Sequence, residues 1–301
     1  MNDYLYRFRE RFHPLNYLRR YAFGRRVLRA MDIPVWIKLP GVAWKVRVRL
    51  VRHASAFLLS GGAEPAILAL FSALAHEVGI RTFWDVGANF GYYTWLTKGC
   101  AATAEIRMFE PDEDNAELVR QTLHRSGANR ILLRTVAVSD RQERRCFVRD
   151  EVSGSTGGIQ DTMTYFSQRQ WGVSGPSVMV DTVTLDSERT HTGILDLIKI
   201  DVEGHEEAVI RGGRKTIESD QPVIIFECFH GGAEIIEYLT RIGYWVGDAE
   251  RMCDDFHRTT NFIALPPRHL TLLDRLKKAW SAEMMRLGRA HEHHQTGSNV
   301  V

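Results

Sequence analysis

The chain has 301 residues, a net charge of +2, 44% hydrophobic and 25% charged residues, the balance of a globular protein holding one large α/β domain with extensions or two small domains. No apolar run is long enough to predict a membrane-spanning helix, and Arg7, Arg9 and Arg11 interrupt any signal-peptide core. The four scattered cysteines form no CxxC pair, so they read as thiols of a reducing compartment and predict a cytoplasmic protein.

The charge is unevenly spread. Residues 1–53 hold 13 Lys or Arg against Asp3, Glu10 and Asp32, a net of +10, and the remaining chain carries −8. Within 1–30 all eight basic residues are arginine, interleaved with Tyr4, Tyr6, Phe8, Phe12, Tyr17, Tyr21 and Phe23. This predicts an amphipathic helix broken near Pro14, with an anionic partner or a peripheral contact at the inner membrane face; a solvated helix without a partner is the alternative. KVRVRLV at 45–51 alternates as a half-exposed strand, with Gly41 marking a hairpin turn before it. Glu64 and Pro65 open a helix with Ile67, Leu70, Phe71, Leu74 and Val78 on one face, and Gly79 ends it.

Beyond Gly79, strands and helices alternate. Strands are predicted at 82–87, 105–110, 131–138, 195–202, 222–228 and 261–265, with helices at 112–126, 206–212 and 233–242. The pattern describes a doubly wound α/β fold with a mostly parallel sheet covered on both faces. Residues 139–181 interrupt it with a short strand, a Gly- and Ser-rich loop at 153–176 carrying Tyr165, Phe166 and Trp171, and a second strand. A loop this long predicts a functional lid. Leu270 to Leu287 read as an amphipathic helix before a polar tail containing His291, His293 and His294.

The first strand ends in Asp85-Val86-Gly87-Ala88-Asn89-Phe90-Gly91. Gly87 and Gly91 let the backbone turn sharply and approach a ligand, but their spacing is not the GxGxxG of a pyrophosphate cradle. An acidic strand end suits the ammonium of S-adenosylmethionine. Glu110 ends the second strand, 19 residues beyond Gly91, where a carboxylate can accept from both ribose hydroxyls. In the fourth strand IKIDVEGHEE places Asp201 at the carboxyl edge, and Glu227 ends the next strand about 5 Å away. Asp201 and Glu227 could share Mg²⁺, or one could act as a base of raised pKa; capping of the following helix is the bland reading for Asp201 and Glu203. His205 and His230 follow strand ends on the same edge and are candidate proton acceptors, although a lone histidine there is more often structural.

Residues 82–230 resemble the FkbM family of S-adenosylmethionine-dependent methyltransferases, through DVGANFGYYT, FEP, AVSD at 137–140, TLD at 184–186 and IKIDVEGHEEAVIRG. The resemblance implies a Rossmann-like class I methyltransferase fold with a seven-stranded sheet and O-methylation of a sugar, glycolipid or related natural product. It implies that Asp85, Gly87, Asn89 and Gly91 line the methionine end of the cofactor, that Glu110 holds the ribose, and that Val136 and Ala137 flank the adenine; Asp201, on a strand expected beside the first, is predicted to face the cofactor as well. Three segments follow: a basic arm and β-hairpin over 1–62, the methyltransferase domain over 63–266, and a C-terminal helix with a disordered tail over 267–301. Two alternatives stand beside this reading. DVEG occupies the place of the D/N-P-P-Y/F motif of base-methylating enzymes, which counts against a nucleic-acid substrate; a non-catalytic, membrane-tethered cofactor-binding scaffold is the other.

Overall fold

The computed structural model describes residues 21–54, 65–150, 157–160, 175–189, 193–228, 232–256 and 259–297, with side chains through residue 288. Helix α1 (Ala22–Met31) leads into the hairpin β1 (Pro34–Lys38) and β2 (Lys45–Arg49), then α2 (Pro65–Glu77). The alternation follows as β3 (Thr82–Val86), α3 (Tyr92–Cys100), β4 (Glu105–Phe109), α4 (Glu113–Ser126) and β5 (Ile131–Arg134). An insertion contributes β6 (Ala137–Val138), β7 (Arg144–Val148), β8 (Gly158–Ile159) and β9 (Ser177–Val183), ending in the short α5 (Leu185–Glu188). The sheet resumes with β10 (Leu197–Ile200), α6 (Glu206–Arg211), α7 (Arg214–Asp220), β11 (Val223–Glu227), α8 (Ala233–Arg241), β12 (Trp245–Asp248) and β13 (Asn261–Leu265). A 3-10 turn (Pro267–Leu272) and α9 (Leu273–Gly297) close the described chain.

The main sheet has seven strands in the order β5-β4-β3-β10-β11-β13-β12. Strands β5, β4, β3, β10 and β11 are parallel, and β13 runs antiparallel between β11 and β12. The mixed sheet therefore departs from the fully parallel pattern only at β13. Side-chain alternation sorts its residues onto two faces. Phe83, Ile106, Leu197, Ile225 and Ile263 pack toward α2, α3 and α9, joined by Val46 and Val48 of the hairpin. Trp84, Ile198, Ile224 and Phe262 pack toward α6, α7 and α8. The same alternation puts Asp85 with Phe83 and Lys199 with Leu197 on the first face, beneath α3.

Three elements differ from the predicted set. The run 131–138 is two strands: β5 stays in the main sheet, while β6 pairs with β9 in a separate sheet of order β6-β9-β7-β8. The chain leaves the edge of the main sheet at Thr135 to build the insertion. Strand β12 is absent from the predicted set, being only four residues, WVGD, at the sheet edge. Helix α9 continues to Gly297, past the predicted end at Leu287. The predicted helix upstream of residue 21 lies outside the described residues, as do Tyr165, Phe166 and Trp171 of the predicted lid.

Candidate active site

The order of the parallel strands reverses at β3, whose chain continues outward to β4 and β5 while β10 and β11 lie on its other side. At such a switch point the loops leaving the carboxyl ends diverge and open a crevice. The loop after β3 lines it. Gly87, Asn89 and Gly91 all adopt left-handed φ, at 78°, 53° and 88°. The Gly87 and Ala88 N–H groups both donate to the Phe109 carbonyl at 3.0 Å, and the Trp95 indole donates to the Phe90 carbonyl at 2.8 Å. A Cβ on Gly87 would stand 1.8 Å from the Asp201 carbonyl oxygen, so only glycine allows β3 and β10 to emerge side by side.

Asp85 is fully buried. Its Oδ2 accepts from the Thr94 N–H at 3.1 Å and the Thr94 hydroxyl at 2.7 Å, so a strand carboxylate caps the first turn of α3. Its Oδ1 is buried without a hydrogen-bond partner among the described residues. Burial pushes the Asp85 carboxyl up to about 6, against the bonds from Thr94 and the charge of Lys199. Lys199 is its register partner on β10, is also fully buried, and sets its Nζ 3.4 Å from Asp201 Oδ2 and 5.0 Å from the Tyr93 ring. One ammonium thus serves two carboxylates at the crevice floor.

Glu110 is 4% exposed. It accepts from the Asn89 N–H at 2.7 Å and the Asp112 N–H at 2.8 Å. Burial pushes its carboxyl up to about 8, the two N–H donors and the Asn115 side chain opposing that rise. His53 of the N-terminal extension lies near this Asn115. The buried His53 ring lies against Phe90, centroids 4.7 Å apart, and the Arg49 N–H donates to its Nδ1 at 3.1 Å, which leaves the ring proton on Nε2. Burial, aided by Arg52, holds His53 down to about 3, so it is neutral.

On the β10 side, Asp201 and Glu227 each follow the paired residues Ile200 and Phe226, which makes them lateral neighbours at the sheet edge. Glu203 is half-buried with φ 55°. Burial and the nearby charges of Asp201, Glu227, Glu206 and Asp150 raise its carboxyl well above the usual range. Neither Asp201 nor Glu203 is the N-cap of α6. That position is His205, and the turn is closed by Glu206, which accepts from the Gly204 and Val202 N–H groups at 3.0 and 3.3 Å.

The structure thus gathers Asp85, Gly87, Asn89, Gly91, Glu110, Asp201 and Glu227 around one crevice. Val136 is half-buried just past β5, and Ala137 is buried at the start of β6. His205 is buried, its Nε2 2.9 Å from the Ser139 hydroxyl, a contact that ties α6 to the insertion. His230 lies outside the described residues. Among the described residues no three His, Cys, Asp or Glu side chains come together as a metal site, so the Mg²⁺ reading of Asp201 and Glu227 gains no support. Lys199, Thr94 and His53 were not predicted. A lysine inside the apolar run LIKI is a legible signal for Lys199; nothing local marks His53.

A seven-stranded sheet of this order, with an acidic glycine loop at its switch point and a carboxylate ending the adjacent strand, is the class I methyltransferase fold. The family model described as the methyltransferase FkbM domain matches residues 85–246, and the chain belongs to that family of methyltransferases. It is 30% identical over 141 residues to the 2-O-methyltransferase NoeI of Sinorhizobium fredii, an alignment covering 44% of this chain and 57% of that protein; the chain thus spans little more than half the length of this relative. Among solved structures, the methyltransferase FkbM of Methylobacillus flagellatus KT aligns with a TM-score of 0.42 and 16% identity over 70% of this chain and 47% of that one. A methyltransferase from Geobacter sulfurreducens aligns with a TM-score of 0.36 and 14% identity, over 65% and 76% of the two chains.

Proposed function

We propose that this methyltransferase uses S-adenosylmethionine and methylates a hydroxyl oxygen of a sugar, glycolipid or related natural product in the cytoplasm. The observation that carries the reading is the division of the crevice into two unlike halves. On one side stand the buried carboxylates Asp85 and Glu110; on the other, the acidic edge of Asp201, Glu203 and Glu227. The O-methyltransferase relative supports oxygen as the acceptor atom, and the four free cysteines suit a reducing compartment.

The first half fits the cofactor chemically. The orphaned Asp85 Oδ1 is matched by a cationic ammonium, and Glu110 has acceptor capacity for a ribose diol. Bound there, S-adenosylmethionine would supply an electrophilic methyl group on a positive sulfonium. The protein's work is alignment and proton removal. Lys199 holds the Asp201 carboxylate in place. Glu203, whose affinity for a proton is raised by burial and by its acidic neighbours, is our candidate to take the acceptor's hydroxyl proton.

The test is methyl transfer from labelled cofactor into a whole-cell glycolipid and saccharide extract, with the linkage analysed chemically. Label in an alkali-stable methyl ether is expected. The Glu203→Gln variant should lose turnover while binding S-adenosylhomocysteine normally. Label in a methyl ester, in nucleic acid, or nowhere despite cofactor binding would overturn the proposal.

A further inference from the structure

The described part of the N-terminal extension, residues 21–54, carries eight Lys or Arg and one acid, a net of +7. That acid, Asp32, is buried and already occupied: it accepts from the Val51 and Arg52 N–H groups at 3.0 Å and pairs with the Arg52 guanidinium at 2.7 Å. Among residues 21–54 no second acid offsets this charge.

Helix α1 adds an apolar feature to that charge. It buries only Gly24 and Leu28. Phe23, Val27 and Met31 recur every fourth residue, so they form one stripe along the helix, and they are 79%, 38% and 54% exposed. Tyr21 and Ile33, just outside the two ends of the helix, are also exposed, at 53% and 55%. On the helical wheel Arg25, Arg26 and Arg29 take the remaining face. Rings and aliphatic side chains on one side and arginines on the other are the make-up of a helix lying in the interface of an anionic bilayer.

We propose that α1 docks the protein on a membrane surface bearing anionic phospholipid, with Phe23, Val27 and Met31 entering the headgroup boundary and Arg26 and Arg29 meeting lipid phosphates. A nucleic acid would satisfy the charge but leave the stripe in water. A second copy of the chain would cover the stripe but bring two arginine-rich surfaces together. An anionic bilayer satisfies both. The surface is independent of the identity of the methyl acceptor.

The test is flotation of the full-length protein with vesicles of phosphatidylglycerol mixed into phosphatidylcholine, against pure phosphatidylcholine. Binding is expected only to the anionic vesicles and should fall as salt screens the charges. The Phe23→Ser/Val27→Ser and Arg26→Glu/Arg29→Glu variants change exposed positions; each should lose about tenfold in binding, in line with the contribution of a few interfacial groups, with S-adenosylhomocysteine affinity unchanged. Phe23→Trp should shift its fluorescence to the blue on mixing with anionic vesicles. Equal binding to neutral vesicles would overturn the proposal, as would wild-type binding by both variants. A concentration-dependent dimer abolished by Phe23→Ser/Val27→Ser would assign the stripe to a second copy instead.

Discussion

Asp85 and Glu110 are two acids with one shared property: folding removes both from water without giving either a direct ion pair. The folded protein therefore keeps protons that the unfolded chain has released above the ordinary values of 3.8 and 4.5. The stability these groups contribute is full below those values and is lost as pH rises through about 6 and about 8. Ligand binding has the opposite sign, because an ammonium and a ribose diol both prefer the ionised carboxylates. Affinity for S-adenosylhomocysteine should thus climb in two steps between those pH values, as read by calorimetry. Asp85→Asn should remove the lower step and Glu110→Gln the upper, each at a cost of about 1–3 kcal/mol in binding at high pH. Affinity independent of pH in the wild type would refute this assignment.

At the scale of elements, the crevice exists because β3 and β10 run parallel yet send their loops apart. Gly87 is where the two strand ends touch. The contact can be separated from the ordinary strain of a left-handed residue by comparison with Gly127, which ends α4 with φ 64° and has open space where a Cβ would go. Gly127→Ala should cost about 1–2 kcal/mol, the conformational penalty alone. Gly87→Ala meets the Asp201 carbonyl as well and should cost more, with loss of cofactor binding. Urea unfolding of the two variants gives the comparison; equal costs would mean that the loop relaxes freely around an added methyl.

Across the whole molecule, parts outside the family's 85–246 span share its core. Leu39, Val46 and Val48 from the hairpin region and Leu276 from α9 pack in the same cluster as Phe83 and Ile106 of the sheet, and the Trp280 indole donates to the Ala66 carbonyl at 3.0 Å. The extension also reaches the site through His53, whose ring lies tilted against Phe90, centroids 4.7 Å apart, and close to the Asn115 beside Glu110. His53→Phe preserves a ring against Phe90 but removes the polar ring edge, including the Nδ1 that accepts from the Arg49 N–H. It should weaken S-adenosylhomocysteine binding about fivefold, the value of one hydrogen bond, and the effect should vanish in a Glu110→Gln background. A loss of the same size in both backgrounds would make His53 a packing residue only.

How much of this was legible in the chain follows from the range of each signal. Local periodicity and punctuation determined the strand–helix alternation, the glycine loop after the first strand, and the acidic residues that end strands at 85, 110, 201 and 227, because each is written within a few consecutive residues. The resemblance to the FkbM pattern drew on those same segments. Tertiary structure alone decided what depends on pairing between distant segments: that the run after Ile131 divides between two sheets, that β13 inserts antiparallel beside β11, that His205 turns to Ser139, and that Lys199 is shared between Asp85 and Asp201. It also decided that a histidine from the basic extension stands behind Glu110. The physical reason is that burial and neighbouring charge, which set the proton affinity of each carboxylate here, are properties of packed neighbours, and those neighbours lie tens of residues away along the chain.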